Sequence, residues 1–342
     1  MRGRLEKKRK GKAEVRPFRS LASAYREPRL IPVGLIALDA VVGGGIPLGK
    51  FVEFFGPSKG GKTALAYEVV RAFQQAGGLR RNKMDRRGRW TDAEHAFDMS
   101  VFERVGGDPA LLDYDEKTDT VEEYFESAER WIEAYEHAAV PKIEVLDSVA
   151  MLGTTHEMEI EMDRRSLDRA GQIYRGFRRL AGRLARSSTT MLFVNQVRDR
   201  VGVYFGNPET TTGGRGPEFF STLRLRLSQG CLKKGKRALI RVGNKIVGHR
   251  IVVRVDKNRS VPAEGQAVEL EWHFLTGFSA TAGTLRLLAD HDLVAEKTRG
   301  SEDGVEIFEF GGKKITDEEV FIDEHPDLLK SLWSPYRPER DT

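Results

Sequence analysis

The 342-residue chain contains a single cysteine, Cys231. No disulfide can form within it, and no cysteine-based zinc site can be built. Long apolar runs are missing as well: no stretch approaches the roughly 20 residues needed to span a bilayer. The basic amino terminus is not followed by an apolar segment, which argues against a secretory signal. Glu6 and Glu14 within that basic stretch argue against a transit peptide, which is poor in acids. The last residues, Pro335 to Thr342, carry no strongly acidic run. These absences predict a soluble protein of a reducing cytoplasm with no membrane partner.

What is present describes a charged globular chain, with 39% hydrophobic and 31% charged residues. At about 100–200 residues per domain, the length accommodates a large core and a smaller appended unit. The net charge of +5 is modest but uneven: Arg2, Arg4, Lys7, Lys8, Arg9, Lys10, Lys12, Arg16 and Arg19 crowd the amino terminus. Such an arm reads either as a nucleic-acid contact or as a solvated tail.

The most informative stretch is Gly56, Pro57, Ser58, Lys59, Gly60, Gly61, Lys62 and Thr63, which fits the G-x-x-x-x-G-K-[ST] phosphate-loop pattern. The apolar run Phe51–Phe55 before it predicts a buried strand. Ala64–Ala76 after it, with Leu65, Val69, Ala72 and Phe73 at helical spacing, predicts a helix. That order puts a helix N-terminus behind a ring of backbone N–H groups, a ready anion site. Lys62 is expected to reach the β/γ-phosphates of a nucleoside triphosphate, and the Thr63 hydroxyl to sit on Mg²⁺.

Hydrolysis needs further groups, and open α/β sheets gather ligands at strand ends. Ile143–Leu146 reads as a strand ending at Asp147, the position of a metal-shell aspartate; the alternative is a helix N-cap. Glu94 is a candidate to orient or deprotonate the attacking water. Gln196, after the apolar strand Thr190–Val194, is a candidate γ-phosphate sensor. Helices are expected over Val121–Ala139 and Asp163–Arg186. Alternating patterns at 223–227, 251–255 and 268–272 predict antiparallel strands. Gly77–Arg89 is highly basic and almost devoid of apolar residues, so the strand around Trp90 and Thr91 is expected to be very short or distorted. Strand–helix alternation followed by hairpin-like strands predicts an α/β fold: a mostly parallel sheet flanked by helices, with an antiparallel extension and a small α+β carboxyl-terminal domain. The expected division is a basic arm over 1–30, a core over 31–277 and a small domain over 278–342.

Four stretches resemble the bacterial RecA-type recombinases: Asp92-Ala93-Glu94-His95-Ala96, Val145-Leu146-Asp147-Ser148, Asn195-Gln196-Val197-Arg198, and the long run from Gly202 to Gly214. The resemblance covers about Ile31 to Phe274 and continues more faintly through Leu285 to Leu332. It implies a P-loop ATPase that forms filaments on single-stranded DNA, exchanges it with a homologous duplex, and serves recombination and repair. Residues 195–214 would form one DNA loop, with Arg198, Phe205, Gly206, Asn207, Glu209, Thr210, Thr211, Thr212, Gly213 and Gly214 at the DNA. Residues 154–169 would form another, with Arg178 on the following helix as a further contact. Asp98 would touch adenine. Lys257 and Arg259 would reach the γ-phosphate bound by the adjacent copy.

Departures accompany the resemblance. Arg259 stands where the family has lysine, and the two are not equivalent at a phosphate. Val101 stands where the family has an adenine-stacking tyrosine, with Phe102 next to it as a possible substitute. Without an acidic tail, faster loading onto duplex is expected. Two other readings remain at this stage: a RecA-fold motor or helicase, and an ATP-binding mediator that hydrolyses little.

Overall fold

A computed structural model describes residues 29–76, 87–135, 140–159, 168–199, 209–232, 238–298 and 306–333. The basic arm, residues 77–86 and the centres of both expected DNA loops lie outside the described residues.

The central strand is Phe51–Gly56, every residue of it buried. Its neighbours follow from which chains can bury both faces. On one side Thr189–Asp199, Lys142–Asp147, Gly88–Asp92 and Leu112–Asp115 pair in parallel, in that order. On the other side Leu223–Gln229 pairs in parallel, after which Lys245–Asn258, Ala267–His273 and Gly277–Phe278 continue the sheet antiparallel. Helix Lys62–Ala76 covers one face with Leu65, Val69, Val70 and Phe73. Helices Val121–Ala134 and Asp168–Leu184 cover the other, joined by Phe125 against Phe177 at 5.4 Å and by Arg179 and Arg183 to Glu129 at 3.0 Å. Fully burying each such large apolar side chain contributes about 1.5–3 kcal/mol.

The register matters most for function. Gly56 is level with Gln196, and Asp147 is level with both Asp92 and Val194. Three parallel strands therefore end together beside Gln196 of a fourth, at the edge where an α/β sheet holds ligands.

Downstream, helix Thr284–Asp290 leads into a three-stranded sheet of Ala295–Thr298, Glu306–Phe310 and Lys313–Lys314, followed by helices Glu318–Glu324 and Pro326–Trp333. Leu285, Leu288, Phe308, Phe321 and Leu332 join the same apolar cluster as Leu38 and Val41 of helix Ile36–Val42.

Three expectations change. The strand at Trp90 is not very short: Gly88–Asp92 is five residues long, wholly buried and regularly paired on both sides, while most of the basic segment before it lies outside the described residues. Arg89 enters it because Asp115 and Glu144 sit at 2.7 and 3.6 Å and Ser127 accepts from it as well, so the guanidinium is compensated within the sheet. Burial pushes the Glu144 carboxyl up and Arg89 opposes the shift. The strand expected to stop at Val194 continues to Asp199, because Glu209–Thr211 folds back on it as an antiparallel partner. Helix Val121–Ala134 stops before the expected Ala139, and helix Asp168–Leu184 stops short of the expected Arg186; the expected start at Asp163 lies outside the described residues.

Candidate functional site

The loop leaving the central strand is shaped by contacts that tolerate no side chain. A Cβ on Gly56, at φ 148°, would stand 2.0 Å from the Leu227 carbonyl oxygen, and one on Gly61, at φ 84°, 2.2 Å from Ile251 Cδ1. Pro57, Ser58 and Lys59 are exposed at the loop's crest, while Gly60 is buried. Lys62 opens the helix with a buried side chain, and its ammonium donates to the carbonyls of Gly56 at 3.2 Å and Pro57 at 2.7 Å. Burial pulls the Lys62 ammonium down, while Asp147 and Glu94 oppose the shift.

The ends of the parallel strands converge on this loop. Thr63 Oγ1 donates to Asp147 Oδ2 at 2.7 Å, so residues 84 apart in sequence share one hydrogen bond. Asp147 is only 2% exposed. Burial pushes its carboxyl up to about 7; the Thr63 hydroxyl opposes this, Glu94 and Asp92 add to it, and Lys62 opposes it. Its Oδ1 is buried with no hydrogen-bond partner among the described residues. A buried carboxylate with one oxygen unsatisfied, beside a threonine hydroxyl and next to a cradle of backbone amides, is an oxygen donor set suited to a hard divalent cation. The N-cap alternative for Asp147 fails, because it ends the strand Lys142–Asp147 and turns its side chain to Thr63.

Glu94 lies beside it. Its backbone N–H donates to the Asp147 carbonyl at 3.1 Å, and Oε1 accepts from Ser148 Oγ at 3.1 Å and from Gln196 Nε2 at 2.5 Å. The three catalytic candidates Lys62, Glu94 and Gln196 are thus brought to one edge. Sequence reasoning missed two groups that fix this arrangement. Ser148 holds the Glu94 carboxylate, and Asp92 ties the turn after it, accepting from Ala96 N–H at 3.1 Å, Phe97 N–H at 3.0 Å and the Tyr114 hydroxyl at 2.8 Å. Both lie inside the short motifs around Glu94 and Asp147, where an acid or hydroxyl next to a candidate residue is the available signal.

Asp98 caps helix Met99–Arg104, its carboxylate accepting from Val101 N–H at 3.0 Å, and it is exposed. The Ser100 hydroxyl, and then the Val101 amide, hold its carboxyl below the usual range. Phe102 offers no face to a base: it is fully buried against Tyr67 and Phe97. The helix phase turns Phe102 inward while its neighbours Met99 and Ser100 stay exposed. Arg104 donates instead to the carbonyl of Phe274 at 2.6 Å, bringing an aromatic side chain that is 43% exposed beside the same helix.

Gln196 belongs to the strand that runs out as a ribbon, Val197 paired with Thr211, Arg198 with Thr210 and Asp199 with Glu209. Asn195 Nδ2 donates to the Thr212 carbonyl at 2.9 Å, closing the ribbon's base. Gly213 and Gly214 then turn against Ile173 and Ala170 of helix Asp168–Leu184. Arg178 is exposed on that helix. Phe205, Gly206 and Asn207 lie outside the described residues.

Lys257 and Arg259 do not join the loop. Lys257 is paired level with Arg224, and Arg224 with Glu53; the Arg259 N–H donates to Thr222, whose own N–H donates to Phe51. Arg259 is therefore level with the start of the central strand, five residues or roughly 16 Å before Gly56. Both side chains donate to carbonyls of helix Gly216–Phe220: Lys257 to Glu218 at 2.5 Å and Arg259 to Phe219 at 3.0 Å. Phe219 is itself 55% exposed.

Comparison with known proteins agrees with this architecture. The family described as the RecA N-terminal domain matches residues 7–279. "Protein RecA" of Syntrophus aciditrophicus is 34% identical over 318 residues, covering 91% of this chain and 84% of that protein. "Protein RecA 2" of Myxococcus xanthus is 34% identical over 331 residues, 94% and 84%. "Protein RecA" of Aquifex aeolicus is 34% identical over 332 residues, 95% and 87%. With a phosphate loop, an acid–hydroxyl pair, a glutamate–glutamine pair and a ribbon leaving the same sheet edge, the chain is a member of the RecA family.

Proposed function

We propose that the chain is an ATP-dependent recombination protein, a DNA-dependent ATPase that assembles on single-stranded DNA and promotes pairing and exchange with a homologous duplex. The observation that carries this reading is the hydrogen bond between Gln196 and Glu94. It joins the group best placed to act on water to the strand whose continuation, Val197–Asp199 paired with Glu209–Thr211, would be the base of the DNA loop.

Lys62 and the backbone N–H groups of Ser58–Thr63 would hold the triphosphate of ATP, and Thr63 with Asp147 would hold Mg²⁺, the buried unpaired Asp147 Oδ1 supporting that assignment. When bound, the ion neutralises charge developing on the phosphates. Glu94, fixed by Ser148, accepts the proton of the attacking water. Gln196, an uncharged amide, exchanges its Glu94 contact for one with the γ-phosphate and so carries nucleotide state into the ribbon. Asp98 caps the helix beside the base, and Phe274 is the aromatic face available where Val101 replaces an aromatic residue. DNA is gripped through residues 198–214 and Arg178. Contacts led by phosphate give little sequence preference and a steep loss of affinity with salt.

Lys257 and Arg259 serve a neighbouring copy. Their position at the opposite end of the strands, beside exposed Phe219, supports a head-to-tail filament in which one copy's far end meets the next copy's loop. We place the protein in the cytoplasm, with residues 31–277 as the ATPase and DNA core, 278–342 as a small appended domain and 1–30 as a basic arm.

Strand exchange between circular single strands and homologous linear duplex, run with wild type and Lys62→Ala, tests the reading. Exchange by wild type that is lost in the variant supports it. Directional unwinding without exchange would identify a motor instead, and DNA and ATP binding without exchange or turnover a mediator.

A further inference from the structure

Between the two ends of the sheet runs a continuous line of hydrogen-bonded polar side chains, buried at Asn195, Glu53 and Arg224 and exposed only at its last member, Asp256. Asn195, fully buried, accepts from the Gln196 N–H through Oδ1 at 2.9 Å, and its Nδ2 reaches Thr212 O at 2.9 Å and Glu53 Oε1 at 3.0 Å. Glu53, also fully buried and on the central strand, accepts from Arg224 Nε at 2.6 Å through its other oxygen. Arg224 Nη1 donates to Asp256 Oδ2 at 2.5 Å, and Asp256 precedes Lys257. The same guanidinium lies over the Phe55 ring at 4.5 Å, one residue before Gly56. The line crosses four adjacent strands without a gap.

We propose that Glu53 and Arg224 are positioning residues that couple the Gln196 and DNA-ribbon edge to Lys257 at the opposite end, so that nucleotide occupancy of a copy's own loop and its contact with the neighbouring copy bias one another. This rests on the function proposed above and specifies how the two ends of one subunit communicate. Glu53 is buried with its charge shared between an amide and a guanidinium, so a shift of Asn195 as Gln196 moves alters what Arg224 must balance. Arg224 has two carboxylate partners on two strands, a geometry that a planar guanidinium spans and a single ammonium does not. A buried ion pair of this kind is weak evidence for stability by itself, which leaves room for a positioning role and demands a readout that stability alone does not move.

That readout is the ratio of single-stranded DNA affinities with a non-hydrolysable ATP analogue and with ADP, measured by fluorescence anisotropy on the full chain. Wild type, Glu53→Gln, Arg224→Lys and Asp256→Asn are compared, together with analogue affinity without DNA and thermal midpoints. The ratio is expected to fall at least about fivefold in Arg224→Lys and Glu53→Gln, and detectably in Asp256→Asn, with analogue affinity near wild type. Asp256 is 40% exposed in its side chain, so its variant carries the test if the buried substitutions fail to fold. Ratios that stay at the wild-type value while thermal midpoints fall would overturn the proposal and leave a purely structural ion pair. Ratios that fall in step with analogue affinity would overturn it too, as damage to the nucleotide site. A wild-type ratio near one would remove the proposed function and this inference together.

Discussion

The two ends of the central sheet handle charge in opposite ways. At the loop end, Lys62 and Asp147 are buried, Glu94 is partly buried, and all three are held by short contacts within the chain, to Pro57 O, Thr63 and Gln196. At the other end, Lys257 and Arg259 are satisfied by main-chain carbonyls of one short helix beside an exposed phenylalanine. Groups that must be desolvated and aimed before reaction are preorganised by the fold. The far-end cations are held on the surface by contacts they can exchange. On the proposed reading, a single chain completes the loop-end chemistry and a second copy supplies the far-end cations.

The largest effect is expected at the preorganised end. Glu94→Gln keeps the shape and the reach to Ser148 and Gln196 but cannot take a proton. Turnover of ATP in saturating DNA should fall about 10²- to 10⁴-fold, with analogue affinity little changed. A variant retaining near-wild-type turnover would remove Glu94 from the chemistry and with it the basis for calling this end complete.

A sharper test sets the ends against each other. Lys257→Ala combined with Arg259→Ala should lower turnover by about 10³-fold while single copies bind nucleotide normally. Copies carrying Lys62→Ala have a defective loop and an intact far end; the double variant has the reverse. In a 1:1 mixture, about one quarter of head-to-tail junctions join a sound loop to a sound far end, so turnover should recover to roughly that fraction of wild type. A mixture no more active than its inactive components would show that the two ends belong to one copy's reaction.

Much of the preorganised end was legible in the sequence because its parts are local motifs on strand ends. Glycine spacing predicted the loop, and an apolar run stopping at an acid predicted Asp147. What escaped the sequence depends on partners distant along the chain. Arg89 looked incompatible with a buried strand until Asp115 and Glu144 arrived on the neighbouring strands. The continuation of the Gln196 strand depends on Glu209–Thr211 returning to pair with it. Phe102 stood beside Val101 as a base-stacking substitute, and only the helix phase turned it into the core. Beyond Asn195, the line through Glu53 to Arg224 belongs to none of the quoted motifs, since register alone aligns it.

The far end depends on the frame behind it, helix Ile36–Val42, and Asp39 reports on that frame. Its carboxylate accepts from the Val33 and Gly34 N–H groups at 2.8 Å each. Burial pushes it from an ordinary 3.8 up to about 6, against those two bonds and Arg71. The folded state then holds the proton more tightly than the unfolded one. Stability from this group is fully present below about pH 4 and is lost as pH rises through 6, by about 3 kcal/mol in total. The difference in unfolding free energy between wild type and Asp39→Asn should shrink by about 2 kcal/mol of that total from pH 4 to pH 7 in urea titrations. A difference independent of pH would show that the carboxyl titrates normally and that the frame is more open to water than its burial indicates.

The smallest effect separates the frame from the cations it carries. Asn258 lies between Lys257 and Arg259 and faces inward. Its Nδ2 donates to the Val42 carbonyl at 3.1 Å, and its Oδ1 accepts from the Ser260 and Val261 N–H groups at 2.8 and 3.2 Å. Alanine there strands the buried carbonyl and two amides, so a loss of about 2 kcal/mol in unfolding free energy is expected. Nucleotide binding at the loop should be unaffected, because the loop is fixed by its own strand and helix. Turnover should fall by a factor between that of the wild type and that of the paired cation variant, and should recover as protein concentration rises, since the cations are present but less well held. A fall in nucleotide affinity would break the comparison, by showing that Asn258 shapes the loop itself as well as the far end. A fall in turnover that no concentration restores would instead place Asn258 among the groups that touch the neighbouring copy.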